Sequence, residues 1–267
     1  MAGNTKALRV RIKSVTSTLQ LTKAMELVAS SKIKRATDAM LRVRQYKASL
    51  EKSLQALTAD RECERSPYMQ VRDGGRSRII IIAGDRGLAG GYNANVFRLA
   101  RDYSDCEFIP IGKRACERFS KPVISSEHYS FDDAYSLAEK LCADFRAGDF
   151  DRLGIISTVY RSVMTQDAVI SWILPFEKSK EGAEGSVIFE PDELTVLNRF
   201  AVEYVAGMIT VAVRESFSSE VAARRMAMDS AGKNARQMID DLQLEYNRAR
   251  QGAITQEITE IVAGSGN

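Results

Sequence analysis

Residues Ile79–Val96 read IIIIAGDRGLAGGYNANV. Four isoleucines run into a glycine cluster, and a helix-compatible stretch follows, so the segment predicts a buried strand, a tight turn and a helix. That order opens many nucleotide-binding folds, and glycine spacing decides whether it does so here. A dinucleotide fingerprint needs G-x-G-x-x-G, and a phosphate-cradling loop needs G-x-x-x-x-G-K-[ST]. The glycines fall at 84, 87, 90 and 91, so the first close pair is missing. Tyr92-Asn93-Ala94-Asn95 stands where Lys-Ser/Thr would follow, and Asp85 would put a negative charge beside a pyrophosphate. The turn reads as scaffold packing a helix close to a strand, with no cofactor expected on it.

Downstream, Cys106–Ile111, Pro122–Ser125, Leu153–Tyr160, Ala168–Leu174 and Ser186–Glu190 are further short apolar runs bounded by Gly, Pro, Asp or Ser. Helical stretches at about 93–103, 113–120 and 132–147 lie between them. Strands alternating with helices predict βαβ units and a mostly parallel sheet. The run EKSKEGAEGS (177–186) reads as a polar loop.

The flanks differ in kind. Residues 4–60 hold no Pro and no Gly, and strong helix formers dominate. Leu8, Ile12, Val15 and Leu19 are spaced 4, 3, 4; after an expected phase slip near Thr22–Val28, Ala36, Met40, Val43, Lys47, Leu50, Leu54 and Leu57 resume the pattern. That is a coiled-coil seam. From Asp192 the chain again lacks Pro. Leu194, Leu197, Ala201, Val205, Met208 and Ala212 form a seam there, which the sequence continues through Ser219, Ala222, Met226, Ser230, Lys233, Gln237, Asp240 and Leu244. At about 1.5 Å per residue the two helices would run roughly 85 and 105 Å, too long to stand without a partner. The simplest solution pairs them antiparallel, with the C-terminal end of the second running past the first. The expected fold is therefore α/β: a long antiparallel coiled coil of the terminal helices (1–65 and 191–267) plus a central Rossmann-like α/β domain (76–190).

Composition narrows the function. No single apolar run reaches the length of a membrane span, and the N-terminus lacks an apolar signal core. Cys63, Cys106, Cys116 and Cys142 form no CxxC pair, and with His128 the lone histidine no zinc cluster can be assembled. The expectation is reduced, mostly buried thiols and a surface histidine. No GxSxG or HExxH occurs, so no catalytic residue is nominated. Residues 1–60 carry twelve Lys/Arg against four acids, a net +8 within a chain of net +3. Such a segment suits nucleic acid, an anionic surface or an acidic protein. Two alternatives stand at this point: a dinucleotide-binding enzyme built on the glycine cluster, or a basic coiled-coil nucleic-acid binder.

LTKAMELVASSKIKRA (21–36), GDRGLAGGYNANV (84–96), SSEVAARRMAMDSAGKNARQMI (218–239) and ARQGAITQEITEIVAG (249–264) closely resemble the gamma subunit of rotary F-type ATP synthases, the central rotor shaft. The resemblance covers essentially the whole chain. It implies a non-catalytic rotor without cofactor or metal, which couples ion flow through a membrane ring to conformational cycling of catalytic beta subunits. The implied partners are the alpha and beta subunits of the hexamer, the epsilon subunit and the c-ring, with no nucleic acid and no direct membrane insertion. The implied location is peripheral, on the cytoplasmic face of a bacterial inner membrane. Residue by residue, it places Met25, Lys32, Arg35, Arg224, Arg250, Gln251, Thr255 and Glu257 at positions that touch the hexamer or the opposing shaft helix. Asp85, Arg86, Gly87, Gly90, Gly91 and Asn93 carry the family motif of the α/β domain. The chain departs from the family in its Ser-Gly-Asn tail, where an apolar end is common.

Overall fold

The computed structural model describes residues 2–72, 74–179 and 189–264. In chain order these form α1 (Ala2–Thr58), β1 (Ser77–Ile82), α2 (Tyr92–Ala100), β2 (Glu107–Ile111), α3 (Lys113–Arg118), α4 (Phe131–Ala147), β3 (Arg152–Tyr160), β4 (Gln166–Leu174) and α5 (Glu193–Gly264). Single 3-10 turns occupy Glu62–Arg65 and Arg101–Tyr103. The expected strand at Pro122–Ser125 does not form. There the Ile124 carbonyl accepts from the Gly112 amide, and its own amide donates to the Cys116 sulfur, so the run closes a turn around α3 instead of extending the sheet. Of Ser186–Glu190, only Phe189 and Glu190 lie among the described residues, and neither is in a strand. The Ser-Gly-Asn tail also lies outside them.

The chain packs as two compact units, Met1–Ser30 with Arg224–Asn267, and Ser31–Ala223. The second holds a four-stranded sheet in the order β2-β1-β3-β4. β1 runs parallel to both β2 and β3, while β4 is an antiparallel edge. Alternation splits the isoleucine run between two layers. Ile80 and Ile82 join α4, α5 and the end of α1 through Phe145, Leu141, Leu57, Val205 and Ile209. Ile79 and Ile81 face Val96 and Ala100 of α2 and Ala115 of α3. Both faces are covered over Ile79–Ile82, which is why no polar residue interrupts the isoleucine run. A capping box between Ser130 and Asp133 starts α4, and left-handed Gly148 ends it.

Within this unit α1 and α5 run antiparallel: Ser218 Oγ donates to the Ala36 carbonyl (3.0 Å), Arg44 pairs with Glu215 (2.5 Å) and the Tyr46 hydroxyl donates to Glu203 (2.7 Å). In the first unit the helices are again antiparallel, with Arg9 donating to the Tyr246 hydroxyl (2.7 Å) and Gly232 facing Leu19 and Thr22.

Two seam expectations need correction. In α1 there is no phase slip: Leu8, Thr22, Ala29, Ala36, Leu50 and Leu57 are buried at a strict spacing of seven, with Val15 and Val43 half-buried in the same series. Small or polar residues fill the register at 22 and 29, while the apolar Leu21, Leu27 and Val28 point to solvent. In α5 the expected positions Ser230, Lys233, Gln237, Asp240 and Leu244 are exposed. The covered stripe is instead Met228, Gly232, Ala235, Ile239, Leu242, Tyr246 and Ala249. α5 also contains one 18-residue window apolar enough, by length and composition, to cross a membrane. More than half of that window is buried inside the protein, as befits an interior helix.

Candidate functional site

The glycine turn follows β1 and is held closed by its own side chains. The Gly84 amide donates to Asn93 Oδ1 (2.9 Å), and Asn93 Nδ2 donates back to the Arg86 carbonyl (3.3 Å). Asp85 reaches the neighbouring loop, where its carboxylate accepts from the amides of Lys113 (3.0 Å), Ser126 (2.9 Å) and Glu127 (3.1 Å) and from the Ser125 hydroxyl (2.5 Å). Burial alone would raise the Asp85 pKa; the four hydrogen bonds outweigh it and hold the carboxyl below its ordinary range. Gly87, Gly90 and Gly91 line the turn, Gly90 with φ of 58° and Gly91 directly before α2. Leu88 is also left-handed at φ 61°, which sets its side chain outward and 62% exposed.

This geometry closes one anion position beside the turn. The first amide of α3 and those of Ser126 and Glu127 are satisfied by a carboxylate, which would repel a phosphate placed there. Among the described residues no group of three or more His, Cys, Asp or Glu is placed to hold a metal ion. The four cysteines are free, with Cys63, Cys116 and Cys142 buried. His128 is exposed, as its polar surroundings predict.

The α/β unit is also tied to both long terminal helices. Glu127 pairs with Lys32 of α1 (2.7 Å) and lies 3.8 Å from Arg86. The Lys32 hydrogen bond, with its positive charge and that of Arg86, keeps the Glu127 carboxyl low against a modest burial effect. Arg214 of α5 donates to the Tyr129 carbonyl (3.2 Å), and Arg44 of α1 to the Tyr160 carbonyl (2.6 Å). Part of the basic excess of α1 is therefore consumed inside the chain: Lys32, Arg44 and Lys47 all sit in ion pairs.

The remaining nominated residues separate by burial. Arg35 is exposed, Met25 and Arg224 are half-buried, and Arg250, Gln251 and Thr255 are exposed on the last turns of α5. The Thr255 hydroxyl donates to the Gln251 carbonyl one turn back (3.0 Å). The side chain of Glu257 lies outside the described residues. Gly252 has open space around it, and Ile254, Ile258, Ile261 and Val262 are all exposed. The sequence reading placed Ser219 on the α5 seam but singled out neither Ser216 nor Glu220; all three are buried. Their signal was present: the run ESFSSE (215–220) sets a polar cluster into the most fully covered stretch of α5.

Comparison with known proteins now bears on this surface. A family model described as ATP synthase matches residues 4–266. The ATP synthase gamma chain of Ruminococcus albus is 40% identical, over 99% of this chain and 99% of the relative. The chain belongs to the ATP synthase gamma chain family. A Geobacter gamma chain is 35% identical over 98% of both sequences. Among solved structures, a chain of the Euglena gracilis mitochondrial ATP synthase superposes with a TM-score of 0.71 at 19% identity, covering 99% of this chain and 94% of that one. A chain from the rotor of the same complex gives 0.69 at 21% identity. This gamma-family chain thus shares its fold with proteins far below the identity of its bacterial relatives.

Proposed function

We propose that this gamma-family chain is the central rotor subunit of an F-type, proton-translocating ATP synthase, without a catalytic site of its own. The full-length match to bacterial gamma chains carries the reading, and two unbroken helices of 57 and 72 residues support it. The shaft works without chemistry. A rotor that makes different contacts with each beta subunit shifts their conformational equilibria in turn, and so their affinities for ADP, phosphate and ATP. The α and β subunits would take the exposed surface of the helices at Met25, Arg35, Arg224, Arg250, Gln251, Thr255 and Glu257. Arg250 and Gln251 offer donors suited to carboxylate and amide groups. Lys32 has the weakest case, because its ammonium is already paired with Glu127.

The functional division we assign is shaft helices over 1–65 and 191–267, and an α/β foot over 76–190 that meets the epsilon subunit and the c-ring. The Asp85-to-Asn93 motif holds the foot's loops in shape and displays Leu88. The protein sits peripherally on the membrane, on the cytoplasmic face of a bacterial inner membrane. Co-expression with alpha and beta subunits tests the reading. A stable complex whose ATPase activity depends on this chain is expected; free alpha and beta that ignore it would remove the proposal.

A further inference from the structure

One turn of α5 makes polar contacts that an interior helix does not need for packing. β3 outlasts its neighbour β1, whose last paired residue on it is Ile156. Two residues further on, the Thr158 amide donates to Ser216 Oγ (3.1 Å) and the Thr158 carbonyl accepts from Ser219 Oγ (3.2 Å). Two hydroxyls of a helix thus stand where a strand partner would. Ser218, between them, donates to the Ala36 carbonyl of α1 (3.0 Å). Directly after Ser219, Glu220, 3% exposed, lays its carboxylate over the glycine turn. A Cβ on Gly84 would come within 2.6 Å of its carboxyl carbon and 2.8 and 2.9 Å of its oxygens. Glycine at 84 makes room for Glu220.

The hydrophobic driving force is non-directional, so by itself it fixes the rotation of a helix about its axis less sharply than directional bonds do. Buried hydrogen bonds are directional, and displacing them strands polar groups away from water. We propose that Ser216, Ser219 and Glu220 are positioning residues that lock α5 to the sheet and glycine turn of the α/β unit, fixing the angle at which that unit drives the helix. The proposal rests on the rotor reading above. Loss of the lock lets α5 slip under load while the apolar core keeps the fold.

The test uses the complete ATP synthase in membrane vesicles and reads ions pumped per ATP hydrolysed. Ser216→Ala/Ser219→Ala removes both hydroxyls; Glu220→Gln keeps the side-chain shape and removes the charge. Leu197→Ala, at a fully buried position of the same helix outside the cluster, controls for lost stability. Either cluster variant is expected to lower the pumping ratio by about threefold, within the range reported for residues that carry coupling. The Leu197→Ala complex should keep the wild-type ratio. Cluster variants that pump as wild type, or a Leu197→Ala complex that loses as much, overturn the lock. So does failure of both cluster variants to assemble while Leu197→Ala assembles, since the cluster would then serve folding alone. A wild-type complex whose pumping does not depend on this chain would instead remove the rotor reading.

Discussion

At the residue scale, the α/β unit depends on a few backbone positions that tolerate no substitute. Gly112 joins β2 to α3 at φ 98°, and a Cβ there would lie 1.9 Å from the Ala83 carbonyl oxygen. Backbone, unlike a side-chain tip, cannot swing aside, so Gly112→Ala should destabilise the unit by about 3 kcal/mol or more, combining left-handed strain with overpacking. Thermal or urea unfolding of the variant measures it. Asp85 gives a pH-dependent case. Its carboxyl is held low in the folded state, so its contribution is complete above the unfolded pKa and is lost as pH falls through the folded one. Asp85→Asn turns one acceptor oxygen into a donor facing amide donors, and should cost about 2 kcal/mol near neutral pH. The difference from wild type should shrink in acid below the ordinary carboxylate range, where wild-type Asp85 itself takes a proton. Urea midpoints across that range check it; a constant difference would mean the hydrogen bonds contribute no charge-dependent stability.

At the element scale, the corrected stripe of α5 makes a paired prediction. Leu242 is 6% exposed and Leu244 59%, two residues apart on one helix. Leu242→Ala should cost about 2 kcal/mol or more, whereas Leu244→Ala should stay within about 0.5 kcal/mol. Equal losses in the unfolding midpoints would restore the seam expected from sequence. The error has a physical origin. Upstream of residue 223 α5 is covered on most sides, so its apolar residues mark no single face and any register can be drawn through them. Beyond it one narrow stripe remains, built partly from Gly232, Ala235 and Ala249, whose small side chains carry almost no hydropathy signal. In α1 the seam at Thr22 and Ala29 was hidden in the same way, while exposed Leu21, Leu27 and Val28 drew the eye to the wrong face. β1 and α2 were legible because uninterrupted isoleucines and a glycine turn are local signals. The links from Asp85, Glu127 and Glu220 were not, since each joins segments tens to over a hundred residues apart. The Lys32–Glu127 pair is of the same kind: Glu127 cannot be foreseen from α1 alone.

At the scale of the whole molecule, the contact residues proposed at the end of α5 are separable from those that hold the fold. Arg250 and Gln251 are exposed on α5, and no hydrogen bond from either side chain to another element of the chain is found among the described residues. Their neighbours Ile254, Ile258, Ile261 and Val262 are exposed apolar residues, unusual in number for the end of one helix. Such residues contribute little to the folded chain by itself and much to a surface that covers them. Arg250→Ala/Gln251→Ala should therefore leave the helicity and unfolding midpoint of the isolated chain within about 0.5 kcal/mol of wild type. On the proposed contact, the same double change removes one charged donor, worth about 1.5 kcal/mol or more, and one neutral donor, so coupled ATP synthesis should fall roughly tenfold or more. Circular dichroism of the free chain and ATP synthesis by the complex separate the two. A variant that unfolds early would make these residues part of the shaft's own structure, and full synthesis with normal stability would take them out of the contact with the hexamer.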